Sequence, residues 1–279
     1  MARILSDSSC VVTGGASGIG RALCEAIAVK GARVLVADID IDRAHAVAEG
    51  IRCSGGEASA VQVDVTDTAS THALANHAFA VFGEVSHLFL NAGVGAGGSI
   101  NKIKRSVVEW VFAVNFYGVI DGSQAFAPRM LEQKTAAHII ITGSEHSLGL
   151  PPRGGEATPY TASKHAVHGL AAGMARDYVG TNLSVSLICP GLVQSDIWNS
   201  FRNRPEKFGG PRQLDEKWAA ENKKGLPAHV AAERILDGLA ADEFYLFTHG
   251  NDIAEVSQQR AAAVAEALAR FQARYGPDA

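Results

Sequence analysis

The 279-residue sequence lacks the features that mark several large classes of protein. It has no Cys-x-x-Cys pair and no His-x-x-x-His pair with an intervening Glu, so we expect no metal site. Basic residues form no run longer than two, and the net charge of −4 disfavours a nucleic-acid surface. No apolar stretch approaches the roughly 20 residues needed to cross a bilayer. These absences predict a protein that binds neither nucleic acids nor membranes.

Cysteine is also scarce, with four residues in the chain. Cys10 and Cys189 lie in apolar runs typical of strands, so we expect buried free thiols in a reducing compartment. The first residues lack the apolar core of a signal peptide, which leads us to expect a cytoplasmic protein. Because 47% of the residues are hydrophobic and 19% are charged, residues 1–279 are predicted to form one domain with a well-buried core.

Short apolar runs alternate along the chain with segments of helical periodicity. Strands are predicted over Cys10–Thr13, Arg33–Asp38, Ala60–Asp64, His87–Asn91, His138–Thr142, Ser184–Cys189 and Phe244–Thr248. Helices are predicted over Ile19–Lys30, Asp42–Arg52, Ala69–Phe82, Lys104–Glu132 and Thr161–Tyr178. Several strands are almost continuous in Val, Ile and Leu, as expected for parallel strands buried on both faces. The pattern therefore predicts an α/β fold, a Rossmann-type doubly wound parallel sheet of about seven strands with helices on both faces.

Two segments depart from this alternation. Residues 192–225 are polar and aromatic and follow a predicted strand, so we expect a lid over the carboxyl edge of the sheet. Residues 252–275 place Ile253, Val256 and Val264 at helical spacing and predict a C-terminal helix. An amphipathic helix packed on the core is the first interpretation, and an oligomer contact is the second.

One predicted helix carries a phenol and an ammonium group on the same face. Tyr160 and Lys164 are four residues apart, about one helical turn. A phenol with an ordinary pKa of about 10 is a poor acid–base catalyst at neutral pH. A neighbouring cation favours the phenolate, so we expect Lys164 to lower the pKa of Tyr160 towards the working range.

A glycine-rich turn, Thr13–Gly20, joins the first predicted strand to the first helix. Gly14, Gly18 and Gly20 permit a tight turn and a close approach of the backbone to a pyrophosphate. The following helix offers free N–H groups and the positive end of its dipole. Because the turn lacks the Gly-Lys-Ser/Thr ending of a P-loop, the pattern favours a dinucleotide and disfavours triphosphate hydrolysis.

The ends of the next three strands complete the predicted nucleotide site. Asp38 ends the second strand, eighteen residues after Gly20, where an acid accepts hydrogen bonds from an adenosine ribose. A carboxylate there repels a 2′-phosphate, so we expect NAD and disfavour NADP. Asp64-Val65 ends the third strand, where an adenine could rest, and Asn91–Gly93 ends the fourth with small residues.

Taken in order, these motifs resemble the short-chain dehydrogenase/reductase family in its single-domain form, over nearly the whole chain. The resemblance implies a catalytic set of Asn115, Ser144, Tyr160 and Lys164. The implied cofactor set contains Tyr160 and Lys164 together with Thr13, Gly14, Ser17, Gly18, Ile19, Gly20, Asp38, Asp64, Val65, Asn91, Ala92, Gly93, Pro190, Gly191, Val193 and Ser195. Leu90 stands where the family often has a second Asn, and Ser195 where it more usually has Thr.

The implied catalytic serine has two candidates. Ser144 lies sixteen residues before Tyr160 and Ser147 thirteen, and the family's usual spacing is closer to that of Ser147. Ser144 follows directly on a predicted strand, where an active-site hydroxyl belongs, and we choose it on that ground. His146 is interpreted as a loop histidine near the substrate entrance, because no Gly-x-Ser-x-Gly elbow surrounds Ser144.

The resemblance implies NAD(H)-dependent interconversion of a secondary alcohol and a ketone. The implied substrate residues are Ser144, His146, Tyr160, Trp198 and Phe201. The aromatic side chains predict a bulky apolar or aromatic substrate. The run Asp196–Gly209 is similar to bacterial family members that oxidise benzylic alcohols of lignin fragments. Family members commonly assemble through the helices near 104–132 and 161–179, so we expect a homodimer or homotetramer.

Two other functions remain open. The same fold and Tyr/Lys pair serve nucleotide-sugar epimerases and dehydratases, which usually carry a longer C-terminal substrate domain. An NAD-binding sensor or scaffold is the non-enzymatic alternative, against which the complete Asn/Ser/Tyr/Lys set argues.

Overall fold

The computed structural model describes residues 5–151, 157–212, 220 and 222–276. Its strands are β1 (Ser9–Thr13), β2 (Arg33–Asp38), β3 (Glu57–Gln62), β4 (His87–Leu90), β5 (Ala137–Thr142), β6 (Leu183–Cys189) and β7 (Tyr245–Phe247). Within the described residues they form one sheet in the order β3-β2-β1-β4-β5-β6-β7, and every pairing is parallel. The predicted doubly wound α/β sheet is therefore confirmed.

Helices connect the strands as the alternating pattern predicts. They are α1 (Gly18–Val29), α2 (Ile41–Cys53), α3 (Thr68–Phe82), α4 (Arg105–Phe112), α5 (Gly118–Glu132), α6 (Thr158–Asp177), α7 (Ala228–Ala240) and α8 (Asn251–Tyr275). A π-helical segment, Ala113–Tyr117, joins α4 to α5. None of the helices among these described residues combines the length and hydrophobicity needed to cross a membrane.

Both faces of the sheet are covered because its strands are apolar on both sides. One core cluster lies between the sheet and α3, α5 and α6, and contains Leu74, Phe126 and Met174. The other lies between the sheet and α1, α2 and α7, and contains Leu23 and Ile235. This packing fixes the strand ends, from which the functional loops depart.

The buried thiols occur where the apolar pattern predicts them. Cys10 and Cys189 are wholly buried in β1 and β6, and neither forms a disulfide. Burial raises the pKa of each thiol to about 12, so both remain protonated at neutral pH. They act as small apolar side chains of the core.

Three elements differ from the sequence prediction. β3 begins at Glu57 and ends at Gln62, before the predicted Ala60–Asp64 is complete, because its register with β2 ends at Asp38. The predicted helix 104–132 is interrupted by the π-helical segment. Helix α7 was not predicted, although its apolar residues Ile235, Leu236 and Leu239 repeat at helical spacing and are buried.

The C-terminal helix also differs from the first interpretation of its sequence. Of its 25 residues, only Ile253 and Val256 are buried. Every residue from Ser257 to Tyr275 is exposed. The helix packs on the core through its first two turns and then projects away from it.

Residues 192–212, the longest described part of the predicted lid, lie across the carboxyl edge of the sheet. It contains two short 3₁₀ segments, Ile197–Asn203 and Glu206–Phe208. Hydrogen bonds tie it to the opposite wall: Ser200 Oγ accepts from Gly95 N at 3.2 Å, and Lys207 Nζ donates to Thr66 O at 3.1 Å. Residues 213–219 and 221 of the predicted lid lie outside the described residues.

Candidate active site

A cleft of about 910 Å³ lies at the carboxyl ends of the strands. It opens beside β1 and β4, where the strand order reverses, and ligands bind at such points in doubly wound sheets. Its walls come from the loops after β1 to β6, from 192–212 and from the first turns of α8. Distant parts of the chain therefore meet at one edge of the sheet.

The glycine-rich turn forms the floor at one end of this cleft. Gly14 and Gly18 have positive φ angles of 65° and 52°, a conformation that glycine adopts without strain. A β-carbon at Gly20 would lie 2.1 Å from Gly14 O. Ser17, the N-cap residue of α1, makes no side-chain cap hydrogen bond within the described chain. The first N–H groups of α1 thus fit the pyrophosphate that the sequence predicts.

Two carboxylates line the same end of the cleft. Asp38 is buried, and its oxygens accept hydrogen bonds from Ala16 N and Asp40 N, each at 3.0 Å. Asp64 accepts from the backbone N and from the hydroxyl of Thr66, each at 2.8 Å. These bonds fix both carboxylates. Each Asp38 oxygen accepts one of them and retains a lone pair for a ribose hydroxyl, whereas both Asp64 bonds go to Oδ1 and leave Oδ2 for an adenine amine.

Thr13 lies beneath the turn rather than in the cleft. Its buried hydroxyl accepts from Asn91 N at 3.0 Å and from Ala92 N at 3.1 Å, and it donates to Phe89 O. The side-chain amide of Asn91 donates to Thr13 O and Gly14 O. The Thr13 hydroxyl thus joins the ends of β1 and β4, and its contact with the cofactor stays a prediction.

The two candidate serines have different surroundings. Ser144 is the N-cap of a 3₁₀ turn, Glu145–Ser147, and Ser144 Oγ accepts from His146 N at 3.2 Å. The Ser144 hydroxyl also lies near enough to the Tyr160 phenol to lower the pKa of that phenol by hydrogen bonding. Ser147 is wholly buried, donates to Lys164 O at 2.9 Å and accepts from Ser144 N at 3.1 Å. Ser144 thus faces the cleft, whereas Ser147 bonds to the backbone behind it.

Tyr160 lies in the first turns of α6 and lines the cleft. Burial raises its pKa above the ordinary value, the Ser144 hydrogen bond lowers the pKa, and the nearby Glu145 carboxylate raises it. The predicted lowering by Lys164 is absent from these influences. Its ammonium lies 5.8 Å from the centroid of the Tyr160 ring and donates instead to Thr142 O at 2.8 Å.

Lys164 is almost wholly buried, with 2% of its surface exposed. Burial lowers its pKa to about 8, because the ammonium has lost most of its hydration. The carbonyl oxygen of Thr142, at the end of β5, directs the ammonium towards the middle of the cleft. Lys164 therefore places a cation between the nucleotide end of the cleft and Tyr160.

Asn115 does not line the cleft and is 1% exposed. It lies in the π-helical segment, a distortion that is frequent at functional sites. Its side chain accepts from Val94 N at 2.8 Å, and it donates to Val94 O and to Ser163 Oγ. Asn115 thereby joins the segment after β4 to α6, which carries Tyr160 and Lys164.

His146 borders the cleft beside the phenol, as its predicted place near the substrate entrance requires. Its ring meets the Tyr160 ring edge-on with centroids 5.2 Å apart, and Nδ1 hydrogen-bonds Thr161 Oγ1 at 2.7 Å. Burial lowers the pKa of His146 to about 4, and the charges of His165 and Lys164 act in the same direction. The imidazole is therefore neutral at neutral pH.

Aromatic side chains form the wall opposite Tyr160. Trp198 and Phe201 line the cleft, and Phe201 packs against Trp110 with ring centroids 4.9 Å apart. The sequence did not predict Trp110 as part of the cleft, because a Trp within an amphipathic helix is ordinarily expected to pack in the hydrophobic core. With the exception of Thr13, every residue predicted for the cofactor or substrate lines the cleft, and of the predicted catalytic set Asn115 does not.

Other lining residues had no sequence signal. Glu145 borders the cleft next to Ser144, while Asp252, Glu255 and Val256 of α8 form its outer wall. Arg43, in the first turn of α2, forms a 2.7 Å ion pair with Asp196 of the lid segment. These contacts join parts of the chain more than a hundred residues apart, which no local motif reveals. Among the described residues, no cluster of His, Cys, Asp or Glu could hold a metal ion.

Comparison with known proteins gives a consistent result. The family described as short chain dehydrogenase matches residues 8–206. The 1-deoxy-11-beta-hydroxypentalenate dehydrogenase of Streptomyces exfoliatus is 34% identical over 249 residues, covering 88% of this chain and 85% of that protein. The C alpha-dehydrogenase of Sphingobium sp. is 31% identical over 252 residues, covering 87% and 81%.

A solved structure is similar over almost its full length. The short chain dehydrogenase/reductase from Burkholderia phymatum, crystallised in complex with NAD, is 34% identical and has a TM-score of 0.85. The similarity covers 95% of this chain and 96% of that one.

Proposed function

The chain belongs to the short-chain dehydrogenase family of oxidoreductases, and from this premise we propose that it interconverts a secondary alcohol and a ketone with NAD(H). One observation carries the proposal. Tyr160, Ser144 and Lys164 meet at one end of a cleft whose other end is lined by the glycine turn and Asp38. The proposed proton-transferring group and the proposed dinucleotide site therefore share one cleft, and hydride transfer requires such an arrangement.

In the proposed reaction, Tyr160 takes the hydroxyl proton of the alcohol during oxidation and returns it to the carbonyl oxygen during reduction. Ser144 donates to the reacting oxygen, since its own oxygen already accepts from His146 N. NAD, when bound, supplies the hydride acceptor and, in its oxidised form, a positive charge beside Tyr160. Lys164 would hold the nicotinamide ribose, and Asn115 positions α6 relative to the segment after β4.

The raised pKa of Tyr160 constrains this mechanism. Burial opposes the phenolate, and the Ser144 hydrogen bond offsets burial only in part. The Lys164 ammonium lies 5.8 Å from the ring centroid, with Thr142 O as its acceptor. We therefore propose that Tyr160 would act as a base when the positive charge of an oxidised cofactor is added to that of Lys164, since the surroundings of the phenol alone keep its pKa raised.

The cofactor is proposed to be NAD rather than NADP. The buried Asp38 carboxylate at the end of β2 would accept from the ribose hydroxyls and repel a 2′-phosphate. Arg43, the nearest cation on α2, is already paired with Asp196. Asp38→Ala is expected to shift the ratio of kcat/KM for NAD and NADP towards NADP by at least about tenfold. Asp42→Asn, an exposed change in the same region, should leave that ratio unaltered.

The substrate is proposed to be bulky and apolar or aromatic. Trp110, Trp198 and Phe201 supply apolar surface beside Tyr160, and Val256 closes the far side. The Streptomyces relative is named for a hydroxyl-bearing compound, which supports an alcohol substrate, and the resemblance of the lid segment favours a benzylic alcohol. In a substrate series, kcat/KM for aryl secondary alcohols should exceed that for short aliphatic ones by about 10–200-fold.

Tyr160→Phe tests the proposed chemistry. It removes the acid–base hydroxyl and keeps the ring that meets His146. Turnover of alcohols and ketones, followed by NADH absorbance, should be abolished, while NADH affinity measured by fluorescence stays near the wild-type value. Substantial turnover in this variant would sink the assignment of Tyr160.

The same measurements separate the rival functions. An epimerase or dehydratase would act on nucleotide sugars without net change in NADH. A sensor or scaffold would bind NADH and remain silent with every secondary alcohol and ketone. We also propose that the enzyme is a homodimer or homotetramer, in which the helical region 104–132 and α6 form a contact, as is common in this family.

A further inference from the structure

His146 is a polar side chain of the cleft to which the proposed reaction gives no role. Its ring borders the cleft and meets the Tyr160 ring edge-on, with the centroids 5.2 Å apart and the ring planes at 81°. The ring is held by the hydrogen bond between Nδ1 and Thr161 Oγ1, which measures 2.7 Å. Because this bond occupies Nδ1, the second ring nitrogen, Nε2, is the polar atom of the ring that can meet a ligand.

Nε2 is open to the cleft. It has no hydrogen bond with the described residues, and it is not one of the polar atoms that are buried there without a partner. A buried ring nitrogen would be in one of these two states, so solvent reaches Nε2, and the cleft is the cavity that His146 lines. A ligand that fills the cleft must therefore replace this solvent at Nε2.

The bond to Thr161 decides which ring nitrogen carries the proton. Thr161 is buried, and among the described residues its hydroxyl has His146 Nδ1 as its hydrogen-bond partner. Ala157 O, one helical turn earlier, accepts from Thr161 N and not from the hydroxyl. If Nδ1 carried the ring proton, the hydroxyl proton would be buried without an acceptor, which is unfavourable. The hydroxyl therefore donates to Nδ1, and the proton of the neutral ring lies on Nε2.

The ring also stays uncharged, which defines what it can recognise. Burial lowers the pKa of His146 to about 4, and the charges of His165 and Lys164 act in the same direction. A neutral N–H donates one hydrogen bond and lacks the charge with which an imidazolium attracts a carboxylate. It pairs with an ether, hydroxyl or carbonyl oxygen, whereas an alkyl group in the same place would bury the N–H without an acceptor.

We infer that His146 is a specificity-determining residue, whose Nε2–H donates to a second oxygen of the substrate on the carbon next to the one that is oxidised. In the proposed reaction Tyr160 and Ser144 contact the reacting oxygen. The His146 ring touches the Tyr160 ring, so Nε2 lies beside the substituents of the reacting carbon. The inference rests on the proposed function and adds to it a substrate class, namely alcohols that carry a neighbouring oxygen acceptor.

An isosteric pair of alcohols tests this contact. Methoxymethyl phenyl carbinol has an ether oxygen on the neighbouring carbon, and propyl phenyl carbinol has a methylene group in place of that oxygen. The wild type should have the higher kcat/KM for the ether. His146→Phe keeps a ring against Tyr160 and removes the N–H, so the ratio of kcat/KM for the ether to that for the hydrocarbon should fall by about tenfold or more. Because both alcohols use the same Tyr160, a general loss of activity leaves this ratio unchanged.

His165→Phe is the matched control. His165 bonds to Thr161 O through Nδ1 at 3.0 Å and borders the second cavity instead of the cleft. This variant should keep the wild-type ratio of kcat/KM for the two alcohols. Thermal melting should show that both variants are folded.

Nuclear magnetic resonance tests the donor on the wild-type protein without any turnover. In protein whose histidines carry heavy nitrogen, the signals of His146 are identified by their loss in His146→Phe. They should show a protonated Nε2 and an unprotonated Nδ1. Addition of NADH with methoxymethyl phenyl ketone should shift the Nε2 signal more than addition of NADH with propyl phenyl ketone.

Three results would overturn the inference. They are a ratio that His146→Phe leaves unchanged while the wild type oxidises both alcohols, a ring proton on Nδ1, and equal shifts of the Nε2 signal with the two ketones. If the wild type oxidises neither alcohol, the proposed function fails for these substrates, and the resonance experiment still decides whether Nε2 contacts the second oxygen.

Discussion

Replacing Ser144 and Ser147 one at a time would decide which of them is the catalytic serine. Ser144 Oγ accepts from His146 N at 3.2 Å, so its single proton is available to Tyr160 in the free enzyme and to the reacting oxygen once a substrate is bound. Loss of such a donor costs about 10²–10³ in rate, or roughly 3–4 kcal/mol of transition-state stabilisation. Ser144→Ala should therefore lower kcat by that factor.

The pH dependence of kcat in Ser144→Ala is a second, independent test, because the direction of its shift can be predicted. The Ser144 hydrogen bond lowers the pKa of Tyr160, so its removal raises that pKa further. Oxidation needs the phenolate, hence the acid limb of kcat against pH should move to higher pH in Ser144→Ala. The rate is followed by NADH absorbance over a range of pH.

Ser147→Ala should behave differently, because the Ser147 proton is already donated to Lys164 O at 2.9 Å. Its removal leaves the buried Ser144 N without this acceptor and takes from Lys164 O the hydrogen bond that it accepts in addition to its helical one. The free energy of unfolding should fall by about 1–3 kcal/mol, with a smaller effect on kcat than that of Ser144→Ala. If Ser147→Ala loses the rate at normal stability while Ser144→Ala keeps both rate and pH profile, the reasoning is refuted.

Two further predictions concern the cleft. Lys164 has a pKa lowered from 10.5 to about 8, so its protonated form destabilises the fold below pH 8 and this cost disappears as pH rises towards 10.5. Lys164→Met should remove a pH-dependent component of roughly 3 kcal/mol from the free energy of unfolding. If the unfolding free energies of the wild type and the variant changed with pH by the same slope, the desolvation argument would be contradicted. Gly20→Ala should cost about 1–3 kcal/mol of stability and weaken NAD binding, because its β-carbon would lie 2.1 Å from Gly14 O. Gly50→Ala is the matched control: its β-carbon would meet nothing within 4 Å on an exposed helix face, so thermal melting should show a gain of roughly 0.5–1 kcal/mol.

The sheet could be predicted because its strands carry their own signal. Ile139, Ile140 and Ile141 are wholly buried in the middle of β5, so the run of apolar residues in the sequence is also the most buried part of the core. The glycine-rich turn could also be predicted from local sequence, because Gly14 and Gly18 adopt the left-handed conformation that glycine favours. Such features depend on near neighbours in sequence, and physical chemistry links them directly to structure.

Features set by distant contacts could not be predicted in this way. The pKa of Tyr160 depends on burial, on Ser144 and on Glu145, and spacing alone suggested a dominant influence of Lys164. The spacing of Tyr160 and Lys164 fixes a shared helix face, but the ammonium follows the nearest acceptor, Thr142 O, which belongs to another element. Sequence position could likewise not reveal that Asn115 and Thr13 bond to the backbone outside the cleft.

The choice of substrate depends on cleft residues that come from elements far apart in the sequence. Tyr160 and Ser144 act on any alcohol carbon, so discrimination must come from the walls around them. Trp198 and Phe201 of the lid segment line the cleft, and so do Glu255 and Val256 of α8. The sequence placed Trp198 and Phe201 among the substrate residues and gave no such signal for α8, yet the first two turns of this helix line the cleft and its remaining turns are exposed. A rigid α-helix transmits a displacement along its length, so any contact that holds the far end of α8 also fixes the position of Val256 at the substrate.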